Sequence, residues 1–233
     1  MTPSVPRPRS DAPRETTAEP VEPVLRSDAA RNRVKILRAA AAAFGEDGVG
    51  VGVESVAHRA GVGVGTLYRR FPTKESLIEA VVEELLREVR DAARDALSEP
   101  AGTGFDAFLR AAGTLQVEHR GCLGRLWTSP THDPLRADIE EAIRALLDRA
   151  RAAGTVRADV AYEDAVVLLW SIRGVIESTA AVAPDAWRRH VDMLLAAVRP
   201  EAPAPGHPPL TPEQLEAALA ARSQAQAAAL GTP

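Results

Sequence analysis

Apolar residues return every three or four positions through the middle of the chain, as in Val34, Leu37, Ala41 and Phe44, and again in Leu77, Val81, Leu85 and Val89. That period puts them on one stripe of a helix, whereas a half-buried strand would alternate. The one alternating stretch, VGVGV at 49–53, contains glycines with no side chains to pack, so it reads as a loop. Start and stop signals divide the rest. A first helix is expected from Asp28, an acid suited to its N-terminus, to Glu46, ending near Gly48. Short helices at Val53–Ala60 and Val64–Arg70 flank Gly61, and Thr73 caps a long helix reaching Leu97 with Glu75 and Ser76 in its first turn. Further helices are expected at 105–119, 121–128, 134–153, 161–181 and 184–198. The fold class is all-α.

Proline marks the margins of this region, because only Pro72, Pro100, Pro130, Pro134 and Pro184 lie between residues 25 and 199. Residues 1–27 are rich in Pro, Thr, Glu and Arg and are expected to be a disordered tail, with Arg7, Arg9 and Arg14 offering nonspecific attraction to DNA. Residues 200–233 hold a Pro-rich linker and then TPEQLEAALAARSQAQAAAL, with Thr211 and Gln214 at capping-box spacing. This second tail is expected to be disordered or a loose helix without a fixed partner.

A chain of 233 residues with 45% hydrophobic residues buries a real core, which excludes a fibrous or wholly disordered protein. No apolar run approaches the ~20 residues that span a bilayer, and the first twenty residues lack the apolar stretch of a signal peptide. The expectation is a cytoplasmic protein with no membrane partner. Cys122 is the single cysteine, and the five histidines fall at no metal-ligand spacing, so no metal or cofactor is expected. Nothing resembles GxGxxG in a βαβ context, a phosphate-binding loop, HExxH or GxSxG, so an enzyme is not expected.

The net charge of −4 hides an uneven distribution: residues 26–74 carry +5 and residues 75–233 carry −8. A compact positive segment on an acidic body suits a small phosphate-binding module attached to something else. Inside it lies Gly52–Phe71, GVESVAHRAGVGVGTLYRRF. Its spacing matches a helix-turn-helix, in which Val56 and Leu67 are core positions, Ala57 lets two helices approach, and Gly61 supplies the left-handed turn. The second short helix would then lay its first turn, from Val64, against base edges in a major groove, with Gly63 and Gly65 letting the backbone come close. Thr66 and Tyr68 offer hydroxyls to phosphates, and Arg69 reaches a phosphate or a guanine edge. The helix opened by Thr73 aims its first amides and Lys74 at the same backbone. Arg33, on the first helix, completes the candidate DNA contacts.

These residues carry a resemblance. ILRAAAAAF, EDGV and VESVAHRAGVGVGTLYRRFPTKESLIEAV are similar to the N-terminal domain of the TetR family of transcriptional regulators over about residues 28–90, and the hallmark AGV-x-x-GTLY-x-x-F followed by a basic residue stands as Ala60 to Phe71 and Lys74. The resemblance implies a homodimer that binds a palindromic operator in double-stranded DNA through a three-helix head, and a C-terminal helical domain that dimerises and binds a small-molecule inducer. It further implies a repressor that the effector releases. Domain limits follow as 28–75 for the head and 76–199 for the ligand-binding and dimerisation domain. Gly63 and Gly52 stand where many members have a hydroxyl residue, so the hydrogen bonds those hydroxyls supply to DNA are absent.

The C-terminal half is read less sharply. Val166, Leu169, Trp170, Val175, Ile176, Val191, Leu194, Leu195 and Val198 offer apolar surface for a core and for a second subunit. Candidate ligand contacts are His119, Leu123, Leu126, Trp127, Trp170 and Arg173; for the histidine a structural hydrogen bond, and for the tryptophans a core position, are the competing roles. Cys122 is expected to be a small buried hydrophobe. Arg144, Arg149 and Arg151, among Glu140, Glu141 and Asp148, are expected to form a solvated face with short-range ion pairs.

Overall fold

The computed structural model describes residues 22–123 and 132–229, all helix, turn or loop. In chain order the helices are α1 (Glu22–Asp47), α2 (Val53–Ala60), α3 (Val64–Arg70), α4 (Lys74–Ser98), α5 (Gly104–Glu118), α6 (Asp133–Ala152), α7 (Tyr162–Thr179), α8 (Ala186–Ala197) and α9 (Pro212–Ala229). Most limits fall within a few residues of those expected from caps and period. Three expectations need correction. α1 starts at Glu22, so Asp28 lies inside it and does not cap it. The helix expected at 121–128 is a turn and a short tight helical turn through Leu123, and its remainder lies outside the described residues. The C-terminal segment takes the helical alternative over Pro212–Ala229, but not without a partner, since Leu215 is buried and Arg222 lies over Trp170 of α7.

Two apolar clusters organise the molecule. The head cluster joins Ile36, Ala40 and Phe44 of α1, Val56 of α2, Leu67 of α3 and Leu77 and Val81 from the first half of α4. The body cluster joins Ala93 and Ala96 from the second half of α4 with α5, α6, α7 and α8. α4 belongs to both, and at 25 residues it extends ~37 Å at the ordinary helical rise. It is the beam on which the head and body are mounted.

Local chemistry sets where this beam begins. Thr73 is extended, its Oγ1 accepts from the Ser76 amide at 3.0 Å, and the Ser76 hydroxyl accepts from the Thr73 amide at 3.2 Å. Each side chain therefore satisfies an amide that the helix cannot. Thr73→Ala should lower stability by about 1 kcal/mol, read as an earlier midpoint in urea unfolding; an unshifted midpoint would contradict this role for the cap.

At its far end α4 is stopped by a partner helix. Arg149 of α6 donates to the carbonyls of Leu97 and of Glu99, the latter at 3.0 Å, satisfying orphaned groups of the last turn. The arginine face on α6 does not make ion pairs alone. Arg144 pairs with Glu140 at 2.8 Å and Arg151 with Asp148 at 2.9 Å, as the spacing predicts, while Arg149, also exposed, bonds backbone carbonyls of the neighbouring chain segment. Close approach of α5 to α8 depends on Gly113, where an added Cβ would sit 2.3 Å from the Trp187 ring. Trp187 is buried there, as a core anchor.

Of the apolar surface assigned to α7 and α8, Val166, Ile176, Val191, Leu195 and Val198 are buried, while Leu169, Trp170, Val175 and Leu194 are only partly covered. Val167, Val182 and Met193 are exposed large hydrophobics, Met193 at 59%. No helix among the described residues is long and apolar enough to cross a membrane.

Candidate nucleic-acid interface and effector cavity

α2 and α3 meet through a turn that needs its glycine. Gly61 adopts φ 65°, ψ 33°, and its amide and that of Val62 return to the carbonyls of His58 and Ala57 at 3.1 and 3.0 Å. Only this left-handed residue lets the chain reverse so tightly, because a Cβ at positive φ crowds the following carbonyl. α2 is in turn held to α1 by Arg59, which pairs with Glu46 at 2.5 Å and Asp47 at 2.7 Å. The Arg59 hydrogen bond and charge hold the Glu46 carboxyl below its usual range.

α3 presents one buried residue, Leu67, at 1% exposure. Helical geometry then dictates the rest: Gly65 and Arg69 stand opposite Leu67, with Val64 and Tyr68 on one flank and Thr66 on the other. Val64 and Tyr68 are exposed at 37% and 42%, and Gly63, Gly65 and Arg69 are exposed too. Thr66 is half-buried, and its hydroxyl accepts from Arg69 at 3.2 Å. No packed neighbour seals this edge. α4 opens directly after it, with Lys74 half-buried in its first turn. Arg33 sits apart, its guanidinium 5.4 Å over the Phe71 ring and 3.9 Å from Glu83. That position ties α1 to the end of α3. The N-caps of α2 and α3, Gly52 and Gly63, are extended and make no side-chain cap hydrogen bond.

In the body, a cavity of about 450 Å³ lies among α4, α5, α6, α7 and α9. Its walls are largely apolar, with Leu85, Val89, Ile143, Val166 and Leu169 among them. Three of the sequence candidates meet here: Leu123, Trp170 and Arg173. His119 does not join them. It is buried, hydrogen-bonded to Glu88 of α4 at 2.7 Å, and lines a separate cleft of about 560 Å³ against α1. Leu126 and Trp127 lie outside the described residues. Residues missed in the sequence are Gln116, Tyr162 and those of α9, namely Leu215, Leu219 and Arg222. Burial above all pushes the Tyr162 phenol up to about 12, so it enters the cavity neutral. α9 had left a signal, since Thr211 and Gln214 do exchange the capping-box hydrogen bonds at 3.2 and 2.9 Å.

Between cavity and head lies the turn after α5. Arg173 donates to the carbonyl of Leu123 at 3.3 Å on the cavity side. One residue earlier, Cys122 is buried within the head cluster, as expected for a small hydrophobe. Arg120 donates to the carbonyl of Gly45 at 2.6 Å, and Gly121 passes so near α1 that an added Cβ would be 1.8 Å from the Phe44 carbonyl oxygen. This turn touches the body cavity at one end and the head cluster at the other.

An all-helical body carrying an exposed helix-turn-helix on a positive segment defines a DNA-binding regulator. Residues 36–81 match the family described as bacterial regulatory proteins, tetR family, and residues 100–200 match the C-terminal domain described as transcriptional regulator SbtR-like. A solved TetR transcription regulatory protein from Mycobacterium vanbaalenii is 34% identical, aligned over 75% of this chain and 99% of its own, with a TM-score of 0.59. A TetR transcriptional regulator from Streptomyces coelicolor is 33% identical, over 73% of this chain and 99% of its own, with a TM-score of 0.58. The TetR-like regulator LfrR from Mycobacterium smegmatis, solved in complex with proflavine, shares the fold at 20% identity, over 76% and 98%, with a TM-score of 0.55. No curated protein matches the chain. The chain belongs to the TetR family of transcriptional regulators, a family of DNA-binding proteins and not of enzymes.

Proposed function

We propose that this protein is a homodimeric repressor that binds a palindromic operator and is released by a small-molecule inducer in the cytoplasm, where its DNA lies. One observation carries the DNA reading: α3 is pinned by Leu67 alone and turns Val64, Gly65, Tyr68 and Arg69 outward, beside the first turn of α4 with Lys74. In this reading residues 28–75 read the duplex and residues 76–199 bind the effector and dimerise. Gly63, Val64, Gly65 and Arg69 meet base edges, while Thr66, Tyr68 and Lys74 position the head on phosphates. Dimerisation is supported by Val167 on α7 and Met193 on α8, large apolar side chains left in solvent. A two-fold axis there would set two α3 helices on successive major grooves.

Release requires that the effector prefer a dimer whose heads no longer fit the half-sites. Two continuous elements support such coupling: α4, shared by both cores, and the turn from His119 to Leu123, bonded to Arg173 on one side and to α1 on the other. A coupling of ~1–3 kcal/mol suffices for a roughly 5- to 150-fold change in operator affinity.

Selection of DNA from a random pool by the purified protein tests the reading, with an inverted repeat as the expected product. Against that operator, Lys74→Ala and Tyr68→Phe should weaken binding to all duplexes alike. For Lys74→Ala the slope of log K against log salt should fall by about 0.9 for each phosphate that the protein no longer neutralises. Unchanged affinity of either variant in a gel-shift titration would remove that residue from the interface.

A further inference from the structure

One side of the effector cavity is lined by a helix beyond the matched C-terminal domain: that match ends at residue 200, and α9 begins at Pro212. α9 reaches the cavity with Leu215, buried at 5% exposure, then Leu219 and Arg222. Leu215 is the only fully buried side chain among those described on α9, so the helix rests on the body by a narrow seam.

In the polar lining Asp133 pairs with Arg136 at 2.5 Å, while Glu140 at 2.8 Å and Glu163 at 3.8 Å share Arg144, away from Arg173 and Arg222 in these pairings. Glu216 is solvent-exposed at the rim. Arg222 makes no ion pair among the described residues and lies 4.8 Å over the Trp170 ring. Burial first, and then the charge of Arg173, push Arg222 below its ordinary range, with Glu177 offsetting part of this. Arg173 itself holds Glu177 at 2.6 Å. Two guanidiniums of one sign thus converge on a single shared carboxylate, Glu177, which Arg173 already holds, an arrangement that a further anion relieves. On the same wall, Trp170 Nε1 and Gln116 Oε1 are buried with no hydrogen-bond partner, a donor and an acceptor in want of polar atoms.

We infer that the cavity takes an apolar effector with a negatively charged head, the head held by Arg222 of α9 beside Arg173 and the apolar part lodged among Leu85, Val89, Ile143 and Val166. α9 is therefore part of the effector site and supplies its selectivity. The inference rests on the effector reading above and names the chemical class of its ligand. A cavity of about 450 Å³ is of ordinary size for a small ligand, within roughly 300–1,000 Å³.

Decanoate, decanol and decylamine, which share a tail and differ in head charge, test it on the full-length protein by calorimetric titration and by thermal shift. Decanoate should bind at least about tenfold more tightly than the other two, a factor that one charge-assisted hydrogen bond supplies. Arg222→Gln should abolish that preference, bringing decanoate to the affinity of decanol in the same variant, and Arg222→Lys should retain most of it. Absence of decanoate binding, equal binding of the three probes, or an undiminished preference in Arg222→Gln would overturn the assignment. The effector reading is scored separately in a gel shift. Decanoate that binds through Arg222 yet leaves operator affinity unchanged would uphold the site and defeat release by effector.

Discussion

Gly121→Ala is expected to give the largest loss of stability of any single methyl added to this protein. The new Cβ would lie 1.8 Å from the Phe44 carbonyl oxygen, 2.2 Å from its carbon and 2.7 Å from the Gly45 nitrogen. All three are backbone atoms, so no side chain can rotate away, and either the turn or the end of α1 must move. Overpacking of this kind costs about 3 kcal/mol or more, equivalent to a melting temperature lower by roughly 6–12 °C for a chain of this size. Because Arg120 bonds Gly45 and Arg173 bonds Leu123 across the same turn, the displacement should also change operator affinity without altering any residue that meets DNA. Calorimetry and a gel shift check the two parts. A variant with wild-type melting temperature would mean that the turn does not press on α1 as described.

Leu67→Ala is expected to abolish operator binding while sparing the body. Leu67 is the single buried residue of α3, within a head core built from α1, α2 and the first half of α4. Removing it leaves a cavity and costs about 2–5 kcal/mol. α3 has seven residues and no side-chain cap at Gly63, so it has little helical stability of its own and depends on that contact. Hydrogen exchange should accelerate through α2 and α3 and remain slow in α5 to α8, whose core is separate. Full operator affinity in this variant would show that the head does not hang on Leu67.

The two variants divide the molecule along a line that explains how much could be read in advance. α2, α3 and their turn were legible because their causes are local. A left-handed glycine, a small residue at the helix crossing and apolar residues at fixed spacing each act within about twenty positions of one another. The limits of α4 to α8 were legible for the same reason, since caps and prolines act on the nearest turn. The candidate DNA contacts follow from α3, its N-cap Gly63 and the first turn of α4, and all except Arg33 stand on or beside the open edge of α3. Arg33 lies on α1, and its neighbours Phe71 and Glu83 come from segments that only folding brings together.

The cavity obeys no such local rule. His119 and Leu123 are four residues apart, yet one pairs with Glu88 beside α1 and the other lines the body cavity, because the turn between them changes direction against Phe44. Arg149 and Arg144 share a helix and a charge, yet one caps α4 and the other covers Tyr162 at 4.2 Å. α9 carried its own capping box, but composition could not say that Leu215 would find the body or that Arg222 would lie over Trp170.

The amino-acid sequence by itself determined the helical class, most of the helix limits and the helix-turn-helix, since periodicity, capping and turn chemistry are short-range and each residue's neighbours along the chain suffice to express them. The tertiary structure alone decided which side chains share the cavity, that α9 lines one side of it, and that one turn links it to the head. Those depend on contacts between segments fifty or more residues apart, such as Arg173 with Leu123, where the geometry of packing, and not local preference, chooses the partner.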